Sequence, residues 1–371
     1  MKKLALLALA ASVFALVPGC VADTSDSDST DEIVGESESA LVVNGSGWAY
    51  VNMNGSLASG YSYNSKGGTV TTAKLATGQY SVDFNNIAYV NPSNAQVATV
   101  GGNAQCKLFT TPTGNGLKTS AYVNCYTPAG AFVDSAFVVT LDSRSGNDAA
   151  PNRGAFASTG GGTSPTLVQS WNSSGSANSI VWNAATQMFN VTLPGLALEN
   201  AAVHVTAMGA NANRCKVNGW NGGVVRVQCM TSAGALTSSA GFSLTYQERS
   251  ILPLKAGAHS WVSGGAPQAN YSGGYGFYSC YVPTYSAATA SQSLKVTMAS
   301  INFTPSTPQA LVPMVTAYGS STDYCTLSGW GSTGNDGSAL VTCYTSSGAL
   351  VTPGNAPFEL TISSRDIPAP C

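Results

Sequence analysis

Charged side chains are scarce in this sequence. Asp, Glu, Lys and Arg make up 9% of its 371 residues, against roughly 25% in an average soluble protein. Fifteen basic and seventeen acidic residues give a net charge of −2, so no excess of positive charge favours a nucleic acid as partner. Ser, Thr, Asn and Gly must therefore cover much of the wet surface, a composition typical of short strands and tight turns.

Histidine is almost absent, which limits the chemistry. The two histidines are His204 and His259. A Ser-His-Asp site needs a histidine held by a carboxylate beside a nucleophile, but His204 alternates with valines on a predicted strand and neither histidine has a G-x-S-x-G motif nearby. Both are interpreted as surface residues. No Cys pair has the C-x-x-C spacing of a zinc site, so the sequence predicts no catalytic residue, no metal and no cofactor.

The N-terminus has the features of an export signal. Lys2 and Lys3 precede an apolar run that ends at Val17 and is shorter than the roughly 20 residues of a membrane helix. Val17, Pro18, Gly19 and Cys20 resemble a bacterial lipobox, which implies a signal peptide over 1–20 and a lipid on Cys20. A secretory signal with a chance Cys is the alternative. Residues 21–41 hold seven acidic residues and no basic one, and they are predicted to form a disordered tether.

The resemblance to lipoproteins implies a location. A lipid on Cys20 would hold the chain on a membrane of the cell envelope. Many bacterial lipoproteins that stay at the inner membrane have Asp after the lipidated Cys, whereas this sequence has Val21. The outer membrane is therefore the expected location, on either its periplasmic or its surface face.

One seven-residue phrase occurs three times. It reads CYTPAGA at 125–131, CMTSAGA at 229–235 and CYTSSGA at 343–349. Alternating apolar residues before and after each phrase predict strands, and the shared Gly predicts a turn with positive φ. We expect a β-hairpin tip at each phrase. The predicted flanking strands are AYVNC (121–125) and FVVTLDSR (137–144), VRVQC (225–229) and FSLTYQER (242–249), and LVTC (340–343) and FELTISSR (358–365).

The match extends over whole repeats of about 100 residues. Further strands are predicted at 79–87, 188–196 and 293–301, and Trp220 and Trp330 each follow a Cys by five residues in the second and third copies. About seven short strands in each copy predict an all-β fold of three tandem immunoglobulin-like β-sandwich domains, at 42–147, 154–250 and 255–371. A single larger all-β body is the alternative. The Cys, Trp and Cys-x-Thr-x-x-Gly pattern resembles a repeat domain of exported bacterial proteins, which implies a fold and no catalytic residue.

The cysteines suggest a disulfide framework, because an exported chain meets oxidising conditions. Three pairs occupy the same two places in each repeat, and Cys280 and Cys371 remain for a fourth bridge if Cys20 is the lipid anchor. Each loop of 14 to 19 residues would contribute about 3 kcal/mol. The predicted pairs are Cys106–Cys125, Cys215–Cys229, Cys325–Cys343 and Cys280–Cys371.

Recurring and aromatic residues supply the remaining candidates. Arg144, Arg249 and Arg365 recur in all copies and are interpreted as bonding carbonyls at domain junctions, with anion or partner binding as the alternative. Trp220 and Trp330 are interpreted as core residues against the disulfides. The stretch at 271–285 is dense in Tyr and Gly and is predicted to be a ligand-contact surface, with a packed domain junction as the alternative. Its candidate contacts are Tyr271, Tyr275, Phe277, Tyr278, Tyr281 and Tyr285.

The functional expectation is binding rather than catalysis. Tandem modules on a flexible tether gain avidity without strong single sites, and the plausible ligands are a polysaccharide or another surface protein. A structural coat or spacer is the first alternative, and a hydrolase of envelope material is the second.

Overall fold

The computed structural model describes residues 45–143, 153–196, 201–248, 256–275, 284–299, 311–333 and 336–364. Within these ranges the chain forms strands and turns and no helix, so the all-β prediction is confirmed. Cys20, the tether at 21–41, Cys280, Cys371 and the three recurring arginines lie outside the described residues. The predictions made for them stay predictions.

Each repeat contributes eight or nine strands. Those of repeat 1 are β1 (Gly45–Val51), β2 (Leu57–Asn64), β3 (Val70–Ala76), β4 (Gln79–Asn85), β5 (Ser93–Val100), β6 (Gln105–Leu108), β7 (Thr113–Asn115), β8 (Lys118–Tyr126) and β9 (Ala136–Ser143). Those of repeat 2 are β10 (Gly154–Thr159), β11 (Leu167–Asn172), β12 (Ser179–Asn183), β13 (Met188–Thr192), β14 (Ala201–Met208), β15 (Arg214–Asn221), β16 (Val224–Met230) and β17 (Gly241–Glu248). Those of repeat 3 are β18 (Ala256–Ser263), β19 (Ala266–Tyr275), β20 (Thr284–Ala290), β21 (Ser293–Ala299), β22 (Leu311–Ala317), β23 (Tyr324–Thr333), β24 (Asp336–Tyr344) and β25 (Phe358–Ser364).

Every repeat pairs its strands in the same way. In repeat 1 one four-stranded set has the order β2-β1-β9-β5 and the other β6-β8-β4-β3, with β7 also paired to β8. Repeats 2 and 3 follow with β11-β10-β17-β14 and β12-β13-β16-β15, then β19-β18-β25-β22 and β20-β21-β24-β23. The first strand of each repeat lies between two other strands of its sheet. In a constant-type immunoglobulin domain the sheets run A-B-E-D and C-F-G, so the first strand is at an edge and the order differs.

Alternating side chains explain why these segments form strands around a core. On β4, Tyr80, Val82 and Phe84 are buried, and the residues between them are partly exposed. Alternate residues of a strand point to opposite faces, so one face of β4 packs into repeat 1. The equivalent apolar residues of β13, Phe189 and Val191, are buried in repeat 2. The strands predicted at 79–87 and 188–196 are present, and they end two and four residues earlier than predicted.

The repeated phrase forms a tight turn, but the strands on its two sides do not pair with each other. Gly130 N donates to Thr127 O at 2.9 Å, Thr127 N donates to Ala131 O at 2.7 Å, and Gly130 has a φ of 91°. β8 before the turn and β9 after it belong to different sheets. The hairpin prediction is therefore wrong for the whole strands. Pairing beyond the turn is limited to a single bridge between Tyr126 and Phe132, after which the chain crosses to the opposite sheet.

Three predicted disulfides are present. Each joins two strands of one sheet at directly opposite positions, with Cα atoms 4.0 to 4.1 Å apart. The bridges are Cys106–Cys125 between β6 and β8, Cys215–Cys229 between β15 and β16, and Cys325–Cys343 between β23 and β24.

Main-chain pairing continues from each repeat into the next. Leu108 of β6 pairs in parallel with Met208 of β14, which joins repeat 1 to repeat 2. At the equivalent positions Val217 pairs with Tyr318, and Leu327 of β23 pairs with Val100 of β5, which joins repeat 3 back to repeat 1. Three equivalent junctions therefore close a ring. The chain from Val42 to Cys371 forms one compact unit. The prediction of three tandem immunoglobulin-like domains is not confirmed.

The strands β5, β14 and β22 contact one another at the centre of this ring. Val97 N donates to Thr206 Oγ1 at 2.9 Å, and Val205 N donates to Thr316 Oγ1 at 3.3 Å. Thr206 Oγ1 also bonds Gln96 Oε1 at 2.8 Å, and His204 Nδ1 lies 2.9 Å from Thr316 Oγ1. At the third junction the equivalent residues are Met314 and Ala98, which share one apolar cluster. Replacing both partners of a hydrogen bond by apolar groups is nearly neutral, so the third junction can close without the polar pair.

The side-chain contacts across the junctions also differ in chemistry. Between repeats 1 and 2, Asn94 Nδ2 donates to Ser243 Oγ at 2.9 Å, and Gln96 Nε2 donates to Thr245 Oγ1 at 3.2 Å. Between repeats 3 and 1, Trp330 packs edge-to-face on Tyr50, with ring centroids 5.2 Å apart.

The two predicted core tryptophans lie at the junctions. Trp220 packs on Tyr318 with centroids 5.4 Å apart, between repeats 2 and 3, and Trp330 lies between repeats 3 and 1. Both are only partly buried. Thr111 stands at this position of repeat 1, and the junction between repeats 1 and 2 uses amide and hydroxyl groups instead.

Both histidines are buried, contrary to the surface positions expected for them. His204 is 1% exposed and His259 is fully buried, as is Glu359 of β25. Burial, with a smaller contribution from His259, lowers the pKa of His204 to about 3. Burial also raises the pKa of the Glu359 carboxyl well above its ordinary value, and neither carboxyl oxygen has a hydrogen-bond partner among the described residues.

Glu359→Gln is expected to stabilise the protein at neutral pH and to do so less in acid. The folded state keeps a proton on Glu359 that the unfolded chain releases above its ordinary pKa of about 4.3. The wild-type protein therefore loses about 1.4 kcal/mol of stability for each pH unit between that value and the raised folded pKa. Gln cannot ionise and avoids the loss. Urea unfolding at pH 4 and pH 7 measures the difference, and an equal effect of the substitution at both values would contradict this account.

Candidate functional site

The three copies of the repeated phrase meet one another at one end of the ring. A Cβ placed on Gly130 would lie 3.2 Å from Ser232 Oγ of the next repeat, and one on Gly234 would lie 3.2 Å from Ser346 Oγ. One on Gly348 would lie 2.5 Å from Cγ of Pro128 and so closes the circle. Glycine is therefore required at this position for two reasons. Its φ is positive, and the neighbouring turn approaches its backbone closely.

Each turn leaves one large apolar side chain in solvent at the same place. Phe132, Leu236 and Leu350 are 43%, 36% and 45% exposed, and each forms a bridge back to the end of its own strand, at Tyr126, Met230 and Tyr344. Recurrent exposed apolar groups on a surface indicate an interaction site more than scattered single ones do. We call Phe132, Leu236 and Leu350, with the turns that carry them, the tip face.

A cavity of about 80 Å³ lies between the three repeats next to the tip face. Equivalent residues of all three copies line it, including the central valines Val97, Val205 and Val315 and the first cysteine of each disulfide, Cys106, Cys215 and Cys325. Tyr126 and Met230, which bridge to the tip face, belong to the same lining. We call this space the axial cavity.

The axial cavity is lined by three basic residues and one acidic residue. They are Lys107, Arg214, Lys216 and Asp323. Lys107 and Arg214 are 4% and 7% exposed, and Lys216 is 3% exposed. The residues flanking the first Cys supply all three basic groups, in the letters QCK at 105–107 and RCK at 214–216, whereas repeat 3 has YCT at 324–326. Charge-rich positions beside that Cys, in a chain so poor in charge, were the signal that sequence reasoning missed.

Both lysines bind carbonyl groups of the following repeat. Lys107 Nζ donates to Asn211 O at 2.6 Å, and Lys216 Nζ donates to Ser321 Oγ at 3.0 Å and to Asp323 O at 3.4 Å. Thr326 Oγ1 continues the pattern with a bond to Gly102 O at 3.3 Å. These side chains hold the loops of neighbouring repeats together.

Burial lowers the pKa of Lys107 to about 8 and that of Lys216 to about 8, the latter despite the opposing effect of Asp323. Both amines are still mostly protonated at pH 7, because their pKa values lie above it. Burial also lowers the pKa of the Arg214 guanidinium, which stays charged at any ordinary pH. The axial cavity is therefore positive at neutral pH.

The predicted contact stretch at 271–285 is described only in part. Tyr271 and Tyr275 lie on β19, while Phe277, Tyr278 and Tyr281 lie outside the described residues. Tyr285, on β20, is partly buried and packs against the apolar cluster shared by repeats 3 and 1. Burial, followed by the charge of Glu359, raises the pKa of its hydroxyl. Tyr285 therefore packs against this cluster and does not lie on an open surface.

Metal-binding clusters and membrane-spanning helices are both absent from the described residues. No group of three or more His, Cys, Asp or Glu side chains in the described ranges could hold a metal ion. The same part of the chain contains no helix long and apolar enough for a membrane span.

Comparisons with known proteins assign no family to this chain. No protein-family model matches the chain, and no curated protein or solved structure is significantly similar to it.

Gly348→Ala is expected to destabilise the protein more than Gly101→Ala. Both glycines have positive φ, 85° and 75°, which costs a residue with a Cβ about 1–2 kcal/mol. A Cβ at Gly101 meets nothing within 4 Å, whereas one at Gly348 collides with Pro128, and such overpacking costs typically a further 1–3 kcal/mol. Denaturant unfolding of both variants measures the difference. Equal losses of unfolding free energy would show that a Cβ at Gly348 does not clash with the neighbouring turn.

Proposed function

We propose that this chain is an exported lipoprotein that binds a protein on a cell surface through its tip face. Cys20 would carry the lipid, and the acidic segment 21–41 would hold the body away from the outer membrane. The three disulfides support an oxidising, exported compartment. The observation that carries the proposal is the exposure of Phe132, Leu236 and Leu350 at equivalent positions around one end of the ring.

The chemistry of the tip face favours a protein ligand over a polysaccharide. Sugar rings are bound largely by stacking on flat aromatic side chains, and only one of the three exposed groups is aromatic. Leu side chains instead add apolar area, which the buried core of a protein interface contains in excess over the rest of the surface. A polysaccharide remains the second candidate because of the Tyr-rich stretch at 271–285.

The closed ring changes how three repeats contribute to binding. Independent modules on a flexible leash gain avidity by binding separate sites. Here the three turns are in contact and belong to one compact unit, so they present a single preorganised surface. Preorganisation lowers the entropy cost of binding, and one partner molecule is expected to cover the whole tip face.

The experiment measures retention of the purified protein on intact cells and on isolated envelope polysaccharide. The triple variant Phe132→Ser, Leu236→Ser, Leu350→Ser is expected to lose at least tenfold in affinity for cells. Val168→Ser combined with Val181→Ser is the matched control, because these valines are 53% and 56% exposed and lie on β11 and β12, outside the tip face. The control variant should bind as the wild type does.

Protease treatment of the cells separates the ligand classes. Loss of retention after surface proteolysis supports the protein ligand, and retention on isolated polysaccharide supports the second candidate. Release of sugar would show that the protein is a hydrolase and not only a binding protein. Concentration-dependent self-association without retention on cells would identify a structural coat. Equal retention by the triple variant and the control would exclude the tip face.

A further inference from the structure

Arg214 lines the axial cavity and carries hydrogen-bond donors that have no acceptor among the described residues. Its Nη2 donates to Ser232 O, to Thr231 O at 3.4 Å and to Ser346 O of the next repeat at 3.3 Å. Its Nε and Nη1 have no acceptor among the described residues, although the side chain is 7% exposed. A guanidinium carries five N–H groups, one on Nε and two on each Nη. Three of them therefore remain unsatisfied.

Neighbouring groups do not neutralise this guanidinium. The Tyr324 ring centroid lies 5.0 Å from Cζ of Arg214, a cation–π contact that offsets part of the charge but accepts none of the three N–H bonds. Asp323 is the only acidic residue among the described residues that line the cavity, and its charge acts on Lys216. Buried donors without acceptors are costly, and more so when they are charged.

The other cations of the axial cavity are already occupied. Lys107 and Lys216 each donate to carbonyl or hydroxyl groups of the following repeat. They serve the junctions and contribute charge to the cavity without needing a ligand. Arg214 differs from them because it combines charge, burial and unused donors at one point.

We infer that the axial cavity binds an oxyanion, a carboxylate, phosphate or sulfate group, with Arg214 as its anchor. Oxyanions pair with guanidinium N–H groups in the planar geometry that Arg prefers. A single water needs about 10–15 Å³ of such space, so the 80 Å³ of the cavity has room for one oxyanion group and some water. Water in the cavity would leave the excess positive charge of its lining uncompensated.

This site goes beyond the proposed binding at the tip face and does not depend on it. The anion can be a free ion, or it can be an acidic group on a larger molecule that enters between the turns. Both sources share the same chemistry, and the experiment separates them by size and by the neutral analogue.

The test uses the purified full-length chain with its disulfides formed. Thermal midpoints are measured with phosphate, sulfate or acetate at constant ionic strength set by sodium chloride, because a ligand that binds only the folded state raises the midpoint by mass action. Sulfate and phosphate also stabilise proteins without binding, so Arg214→Met is compared with Arg226→Met. Arg226 is an exposed arginine on β16 of the same repeat and serves as the matched control. Galacturonate is tested against neutral galactose for the larger source.

A saturable rise in the midpoint is expected for the wild type and Arg226→Met at millimolar anion, and at least a tenfold weaker response for Arg214→Met. Should Arg214→Met not fold, the Nε–H resonance of Arg214 in the wild type replaces it, since the chain has only six arginines to assign. A saturable shift of that resonance would support the site. Equal responses of all three proteins, or no shift of the resonance, would overturn it. A response to galacturonate and none to galactose would extend the site to acidic sugars, whereas a response to the inorganic ions alone would confine it to free anions.

Discussion

Main-chain pairing between edge strands of successive repeats is the interaction on which the rest of the structure depends. A sandwich leaves unpaired N–H and C=O groups along its edges, which are open to pairing with other chains. Here β6 pairs with β14 and β23 pairs with β5, and Val217 pairs with Tyr318. Contacts of the same head-to-tail kind close into a ring when the rotation between units allows it. Three repeats satisfy that condition, and the closed ring creates both the tip face and the axial cavity.

The ring tolerates different chemistry at junctions that share one backbone geometry. The polar pair Gln96 and Thr206 recurs as His204 and Thr316 and is replaced by Met314 and Ala98 at the third junction. Since both members of the pair change together, neither residue leaves a buried hydrogen-bond donor without an acceptor there. The same divergence puts basic residues beside the first Cys in two repeats and Thr326 in the third. The axial cavity therefore has a single anchor, Arg214, in spite of its threefold construction.

Much of the fold within a repeat could be predicted from the sequence, because periodicity and cysteine spacing are local signals. The strand alternation around Val123 and the pairing of Cys106 with Cys125 are examples. Contacts between repeats could not be predicted, since nothing in the repeated phrase says that Gly348 faces Pro128 of another copy. The same limit applies to His204, which the sequence predicts to lie at the surface. His204 alternates with buried valines as a surface residue would, but its outer face is covered by the neighbouring repeat. The signal for the cavity, Lys and Arg beside Cys, becomes meaningful only when three copies surround one axis.

The measurement that tests the closed ring most directly is differential scanning calorimetry of the full-length chain with its disulfides intact. If the junctions couple the repeats, the body unfolds in one transition and the van't Hoff enthalpy equals the calorimetric enthalpy. Three repeats that unfold independently would instead give a van't Hoff enthalpy of about one third of the calorimetric value. A ratio near one is the result this account predicts, and a ratio near one third would contradict it.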